Sequence, residues 1–310
     1  MRPRLRLLAA ALLLALVLVL GGCAQGPGQA AEESAPAINA PGLPSPAPTS
    51  SLEDVRVYFD GLLADKGYRV EDTVYLAPDA LCRFFNLELK TYSDREGFRL
   101  ELAGMELSGK AGEQYMQADG RYLFLPYGYL AREGRLYLPW DAIQRIFGLD
   151  MELLEDPLRL EINTNALRLL HGGENYYLNT FRVEDLYWLS HIIHAESYLQ
   201  PLAGQIGVGN VVLNRVESKL FPDSIMLVVL QQNPNVTQFD PVKDGSITSD
   251  PDDMSSIAAY LCLEGYNTVG DCMYFVNPAR GDATWFRSTL HHVITIGDHE
   301  FYNLDPIEPD

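Results

Sequence analysis

One passage of this chain is written twice. Tyr75-Leu76-Ala77-Pro78-Asp79-Ala80-Leu81, followed by Phe84-Phe85-Asn86-Leu87, returns as Tyr137-Leu138-Pro139-Trp140-Asp141-Ala142-Ile143, followed by Ile146-Phe147-Gly148-Leu149, at an offset of 62 positions. A duplication constrains residues 53–165 strongly, because one supersecondary unit must pack twice around a shared core. Each copy reads as strand, short amphipathic helix, strand. In the second copy Ala142, Ile143, Ile146 and Phe147 recur at helical spacing and Gly148 supplies a stop. Phe98 to Leu102 and Leu158 to Ile162 alternate with period two and read as the strands that follow the helices.

The 310 residues suffice for two ordinary domains, and 47% hydrophobic with 21% charged residues is a globular balance. With 23 basic against 42 acidic residues and a net charge of -19, the chain lacks the clustered cations that hold a phosphate backbone, which sets nucleic acid aside. Ahead of the duplicated stretch, Arg2, Arg4 and Arg6 precede an apolar run from Leu7 to Leu20. That run falls short of the about 20 residues of a comfortable transmembrane helix, so it reads as a secretion signal. Its end, Leu20-Gly21-Gly22-Cys23, resembles the bacterial lipoprotein box. The resemblance implies a signal peptide over 1–23, lipid on the Cys23 thiol and a protein held at the outer face of the membrane. An uncleaved anchor or an ordinary signal would also place the remainder outside the cytoplasm. Residues 24–52, rich in Pro, Ala, Gly and Ser without apolar periodicity, read as a disordered tether. Cys82, Cys262 and Cys272 then remain in a compartment where disulfides persist. A Cys262–Cys272 bridge and two separately buried thiols both stay open, and without a CxxC pair a structural zinc site has no support.

Within 53–165, Val55-Arg56-Val57-Tyr58-Phe59-Asp60-Gly61 and Gly134-Arg135-Leu136-Tyr137-Leu138-Pro139-Trp140-Asp141-Ala142-Ile143 resemble the copper amine oxidase N-terminal-like stalk domain. This implies an accessory module, either a spacer or a carbohydrate binder. The segment contains no His, so copper has nothing obvious to build on.

From Val183 the pattern becomes helix-rich. Leu186, Leu189 and Ile193 make a stripe whose next position is Glu196. On a core-facing side a carboxylate loses hydration and its pKa rises, which suits a general acid; at a helix end the stripe can equally have turned to solvent. In Pro201 to Ser218, Gly204, Gly207 and Gly209 each cost about 1 kcal/mol relative to Ala in a helix. Ala203, Gly207, Asn210 and Asn214 share one narrow face, opposite Ile206, Val212, Leu213 and Val216. That face suits close helix packing with Asn214 as a buried structural amide, or an amide pair presented to a sugar.

Six blocks in order then resemble the catalytic domain of the cell wall hydrolase family typified by spore cortex-lytic enzymes. They are Ile193-His194-Ala195-Glu196-Ser197; Gly204 to Val216; Phe221-Pro222-Asp223-Ser224-Ile225; Gln238-Phe239-Asp240-Pro241-Val242 with Asp244-Gly245; Tyr274-Phe275-Val276-Asn277-Pro278; and Thr295-Ile296-Gly297-Asp298-His299 with Phe301-Tyr302. Ser197 and Asp240 depart from the common family text. The resemblance implies a mostly helical, lysozyme-like catalytic domain over 175–305 with a small β-hairpin, making the whole an α+β multidomain chain. It further implies Glu196 as the catalytic acid and cleavage of peptidoglycan glycan strands between N-acetylmuramic acid and N-acetylglucosamine, without metal or cofactor. His194, Asn214, Gln238, Asp240, Asp244, Tyr274, Asn277, Thr295 and His299 become candidate substrate-binding residues, with Gly297-Asp298 a favourable turn pair under the last two. Because the chain is acidic, an anionic wall polymer must be held by hydrogen bonds and shape rather than long-range attraction. Two other readings compete. His191 and His194, with His291, His292 and His299, could serve a zinc hydrolase, although their spacing matches no HExxH-type motif. A non-catalytic wall-binding lipoprotein would leave the C-terminal domain only holding glycan.

Overall fold

The structure, a computed structural model, describes residues 52–173, 175–233 and 236–304. The signal peptide, Cys23 and nearly all of the 24–52 tether lie outside the described residues. Among those described, no helix is long and apolar enough to cross a membrane. The chain divides into two units, with the boundary between Thr180 and Phe181.

The first unit is a mixed α/β arrangement of twelve strands, two helices of eight residues and one of five among the described residues. Strands β1 (Glu53–Phe59), β2 (Leu62–Val70) and β3 (Thr73–Leu76) lead into α1 (Pro78–Phe85). A meander follows: β4 (Leu89–Ser93), β5 (Gly97–Leu102), β6 (Met105–Lys110), β7 (Tyr115–Ala118) and β8 (Arg121–Phe124). Then come β9 (Leu130–Arg132), β10 (Arg135–Pro139), α2 (Trp140–Phe147), β11 (Asp150–Glu155), β12 (Leu158–Asn163) and α3 (Tyr176–Thr180). The meander forms its own five-stranded sheet, and the other strands form a seven-stranded sheet in the order β11-β12-β1-β2-β3-β10-β9. The two copies of the duplicated passage meet there, because β3 and β10 pair antiparallel with Leu76 opposite Leu138 and Tyr75 opposite Pro139. Each copy buries its tyrosine, Tyr75 or Tyr137, and its helix stops on a left-handed residue, Asn86 (φ 53°) or Gly148 (φ 60°). Arg135 ties the copies electrostatically, reaching Asp65 and Asp79 at 2.6 Å each.

Two sequence expectations need adjustment here. Phe98 to Leu102 is strand β5, but β4 intervenes between it and α1. The unit also runs past residue 165: Arg168 and Leu170 donate to the carbonyls of Phe147 and Ile146 at 2.9 Å each, and the Tyr177 hydroxyl accepts the Tyr122 amide at 2.8 Å. These bonds hold residues 168–177 on the first unit rather than on the second.

The second unit is built on α4 (Val183–Ser197), α5 (Leu202–Glu217) and α8 (Asp253–Leu263), which pack mutually. Short helices α6 (Ile225–Val229) and α7 (Asp240–Asp244) and a small β13–β14 pair (Gln232–Asn233, Val236–Thr237) lie between α5 and α8 in sequence. After α8 come β15 (Tyr274–Val276), α9 (Thr284–Thr289), β16 (His291–Ile296) and β17 (His299–Asn303), the strands forming an antiparallel sheet in the order β15-β17-β16. Gly297 takes φ 59° in the turn between β16 and β17. The Gln200 side chain, in the α4–α5 connection, accepts from the Asp298 amide at 2.8 Å and donates to the Asp298 carboxylate at 3.2 Å.

The glycines of α5 now have a reason. This helix is buried from Gly204 to Val212 on all sides, not on one face as the wheel suggests, and its neighbours come to van der Waals distance of its backbone. A methyl group at Gly207 would stand 2.8 Å from the Phe301 ring and from Val269, and one at Gly209 would stand 2.6 Å from the Cys262 sulfur and 2.8 Å from Ile193. Cys82, Cys262 and Cys272 are free, buried thiols. Of the two arrangements open for Cys262 and Cys272, separate burial is the one the structure adopts.

Helix propensity alone favours alanine over glycine by about 1 kcal/mol, whereas overpacking a core costs about 1–3 kcal/mol. Gly209→Ala is therefore expected to destabilise the second unit by a net of about 1 kcal/mol, read as a lower thermal midpoint in melts followed by circular dichroism. A variant melting at or above the wild-type temperature would show that Cys262 and Ile193 yield without penalty.

Candidate active site

Glu196 sits in the last turn of α4, partly exposed, three residues past the fully buried Ile193. Its carboxyl pKa is pushed up to about 7, first because burial strips water from the charged form, next because the negative charge of Asp240 faces it; Asp244 adds to this and Arg215 opposes it. A carboxyl with a pKa at neutrality can both give and take a proton in one catalytic cycle. The structure thus puts Glu196 at the edge of the core, between the two positions left open by its place at a helix end.

The facing carboxylates come from one short helix. Phe239 is buried beneath α7, Asp240 opens that helix and Asp244 closes it, both exposed. The Asp244 side chain accepts from the Ser246 amide at 2.9 Å, and its hydrogen bonds to Ser246 hold its pKa below the ordinary carboxylate value. Asp240 and Asp244 are exposed to solvent, whereas Glu196 has lost hydration, and that difference, with its pKa near 7, sets it apart as the group able to carry a proton at neutral pH.

Arg215 is the functional candidate that the sequence reading did not single out. It lies in the last turn of α5, only 5% exposed, with Nε donating to the Met273 carbonyl at 2.8 Å. Its guanidinium lies 5.0, 5.1 and 5.5 Å from the ring centroids of Phe221, Phe239 and Tyr274. Burial lowers its pKa to about 10, which leaves it cationic at neutral pH. A signal was present: Val208, Val211 and Val212 precede Arg215 at spacings of seven, four and three, so the arginine continues an apolar stripe.

The remaining candidates separate into different places. Tyr274, on β15, joins the Arg215 cage and faces Trp285 at 6.5 Å between ring centroids; burial raises its pKa. Gln238 immediately precedes Phe239 and donates its amide to the Gln231 carbonyl at 3.2 Å. His194 ties α4 to the start of α8, with Nδ1 accepting from the Asp252 amide at 3.3 Å and lying 3.4 Å from the Ser255 hydroxyl, which donates on to Gln205 at 3.0 Å. Asn214 donates both amide hydrogens to backbone, at 2.8 Å to the carbonyls of Gly270 and Cys272, so it secures the loop before β15. Asn277 caps its own turn by accepting from the Ala279 amide at 3.0 Å.

Thr295 and His299 lie on the hairpin, away from the carboxylates. Thr295 is exposed on β16, 2.9 Å from Nε2 of His292, in a recess of about 360 Å³ that Arg287, Glu300 and Tyr302 also line. None of Glu196, Asp240 or Asp244 lines this recess, and Tyr302, which does, pairs with Tyr274 across β15 and β17. His299 is 3% exposed against Phe275, and burial lowers its pKa. The imidazoles of the zinc reading are engaged separately. His191 lies against the Tyr187 ring at 3.9 Å with Nδ1 2.7 Å from the Tyr187 carbonyl, His194 meets α8, and His299 sits in the core.

Comparison with known proteins bears on this unit. The Cell Wall Hydrolase family model matches residues 199–302, about a third of the chain, beginning just after Glu196. The spore cortex-lytic enzyme of Oceanobacillus iheyensis is 30% identical over 117 residues, covering 38% of this chain and 41% of that protein. That of Bacillus cereus is 28% identical over 123 residues, covering 40% and 46%. The chain thus spans less than half the length of the curated relatives it matches. Among solved structures, the catalytic domain of the germination-specific lytic transglycosylase SleB from Bacillus anthracis is 27% identical, with a TM-score of 0.37, over 40% of this chain and 98% of that one. By sequence, residues 199–302 are thus similar to the Cell Wall Hydrolase family and to part of the spore cortex-lytic enzymes.

Proposed function

We propose that the second unit is a lytic transglycosylase that cleaves peptidoglycan glycan strands between N-acetylmuramic acid and N-acetylglucosamine, with Glu196 as acid and then base. The observation that carries this reading is a desolvated carboxyl, held half-protonated near neutral pH, at the end of α4 and opposite two solvated carboxylates. Similarity to spore cortex-lytic enzymes supports spore cortex as the substrate. Protonated Glu196 gives its proton to the glycosidic oxygen as the bond from C1 to that oxygen breaks. The muramyl C6 hydroxyl attacks C1 and passes its proton to the Glu196 carboxylate, which restores the acid. The products are a 1,6-anhydromuramyl end and a free N-acetylglucosamine 4-hydroxyl, with no net water consumed. Asp240 and Asp244 face Glu196 in this reading, with Gln238 just ahead of Phe239 and Tyr274 in the Arg215 cage. Asn214, His194 and Asn277 shape its surroundings through backbone and helix contacts, and Thr295 and His299 belong to the hairpin. A lysozyme-like fold for the second unit, lipid attachment at Cys23 and a spacer or glycan-binding role for the duplicated module complete the proposal.

Glu196→Gln is expected to reduce cleavage of purified peptidoglycan about a hundredfold to ten-thousandfold, and mass spectrometry of wild-type digests should find anhydro-muropeptides. Reducing muropeptides alone would mean that water is the acceptor, and an unbroken substrate would leave a glycan-binding protein. The same substitution bears on stability. The folded pKa of Glu196 lies above its ordinary value of 4.5, at about 7. The folded state therefore loses stability as pH rises from the lower value to the higher one, and below both no difference exists. Glu196→Gln should raise the melting temperature at alkaline pH and leave it unchanged under acid conditions.

Asp240→Asn removes a negative charge facing Glu196. The alkaline limb of the activity profile, where the acid loses its proton, should move to lower pH, while a hydrolytic mechanism using Asp240 as base would instead lose most of its rate. For the anchor, Cys23→Ser should release the protein from the membrane fraction or stall its processing; a fully processed, membrane-bound variant would count against lipidation.

A further inference from the structure

The proposed reaction makes no use of Arg215, although its placement is costly. A cation at 5% exposure that forms no ion pair among the described residues carries a large desolvation cost, which burial registers by lowering its pKa. Only part of its donor set is used: Nε meets the Met273 carbonyl, whereas the buried Nη1 has no hydrogen-bond partner among the described residues. Its walls are the faces of Phe221, Phe239 and Tyr274, which hold a guanidinium through their ring quadrupoles and keep water from screening it. One of those rings leads into the helix that packs against the helix of Glu196: Phe239 directly precedes Asp240, the first residue of α7, and α7 contacts α4.

We propose that Arg215 is a positioning residue for Glu196: a fixed cation, walled by aromatic rings, that stabilises the carboxylate left when Glu196 gives up its proton and holds the Phe239–Asp240 and Tyr274 sides of the site in place. This rests on Glu196 being the acid. The charges around Glu196 show why a cation is needed. Asp240 and Asp244 face it from α7, and His194, on its own helix, is committed to Asp252 and Ser255 at the start of α8. Helix α6 and the turn at Ser246–Thr248 contribute no titratable side chain. Ionised Glu196 is thus a third negative charge in a poorly hydrated place, and Arg215 is the cation that opposes the other two. The influence is mutual, because Glu196 also favours the charged form of Arg215.

The test begins with the full-length protein, its arginine side chains labelled with nitrogen-15 and its glutamate carboxyls with carbon-13. As pH is raised from about 5 to about 9, the Arg215 guanidinium resonances should shift with the same midpoint as the Glu196 carboxyl, and this response should vanish in Glu196→Gln. A Glu196 titration that leaves Arg215 unmoved overturns the proposal. In activity assays, Arg215→Met, which keeps bulk and removes charge, should move the alkaline limb to higher pH and lower the plateau rate about tenfold or more. Arg215→Lys should keep the limb near its wild-type position. A folded Arg215→Met protein with an unchanged limb also overturns the proposal, and if that variant fails to fold, the titration in the unaltered protein decides. Coupled titration in a protein that leaves peptidoglycan intact removes the glycan reading and upholds the pairing of Arg215 with Glu196.

Discussion

The second unit depends on how closely other segments can approach the backbone of α5. At Gly207 and Gly209 there is no side chain, and Phe301, Val269, Cys262 and Ile193 occupy the space that one would fill. Three elements are thereby set against one helix: α4 through Ile193, α8 through Cys262 and the sheet through Phe301. Ile193 is one helical turn from Glu196, and Phe301 is paired with Phe275, the neighbour of Tyr274. The positions of the acid and of the aromatic wall are both inherited from contacts with those two glycines. A helix so poor in propensity survives because it is covered on all sides, and packing outweighs the intrinsic cost.

Electrostatics in this unit is organised by hydration rather than by count. The chain as a whole carries a net charge of -19, yet the groups that matter near Glu196 differ mainly in how much water they keep. Asp240 and Asp244 are exposed, Glu196 is partly buried and Arg215 is buried. Carboxyls of the same chemistry thus acquire different surroundings, and the one that has lost hydration is the one able to carry a proton near neutral pH.

Much of this was legible in the sequence, where the signal was local. The helix over 140–147, its stop at Gly148 and the turn at Gly297-Asp298 follow from spacing and glycine alone. Glu196 was legible as the next position of a stripe, though only the surrounding structure distinguishes a desolvated carboxyl from a solvated one. The five-stranded meander was harder to see. Its first strand, Leu89–Ser93, is mostly exposed and has no alternation to give it away. Arg215 was hidden for the opposite reason: a charge on an apolar stripe looks like an exception to the pattern, and the rings that shelter it are brought from residues 221, 239 and 274 by the fold. Asn214 was read as either structural or sugar-facing, and its two backbone acceptors lie more than fifty residues away, beyond the reach of any local pattern.

The first unit closes in an order opposite to that in which its chain is made. Strand β1, its first, pairs in parallel with β12, its last, Val57 lying opposite Leu160 and Phe59 opposite Ile162. Until residue 163 has been made, β1 has only β2 beside it and one edge of β1 stays open. A sheet joined by contacts of such long sequence separation forms slowly. The chain therefore presents an unfinished strand edge throughout its synthesis, and any truncation before β12 leaves that edge as a permanent site for pairing with other chains.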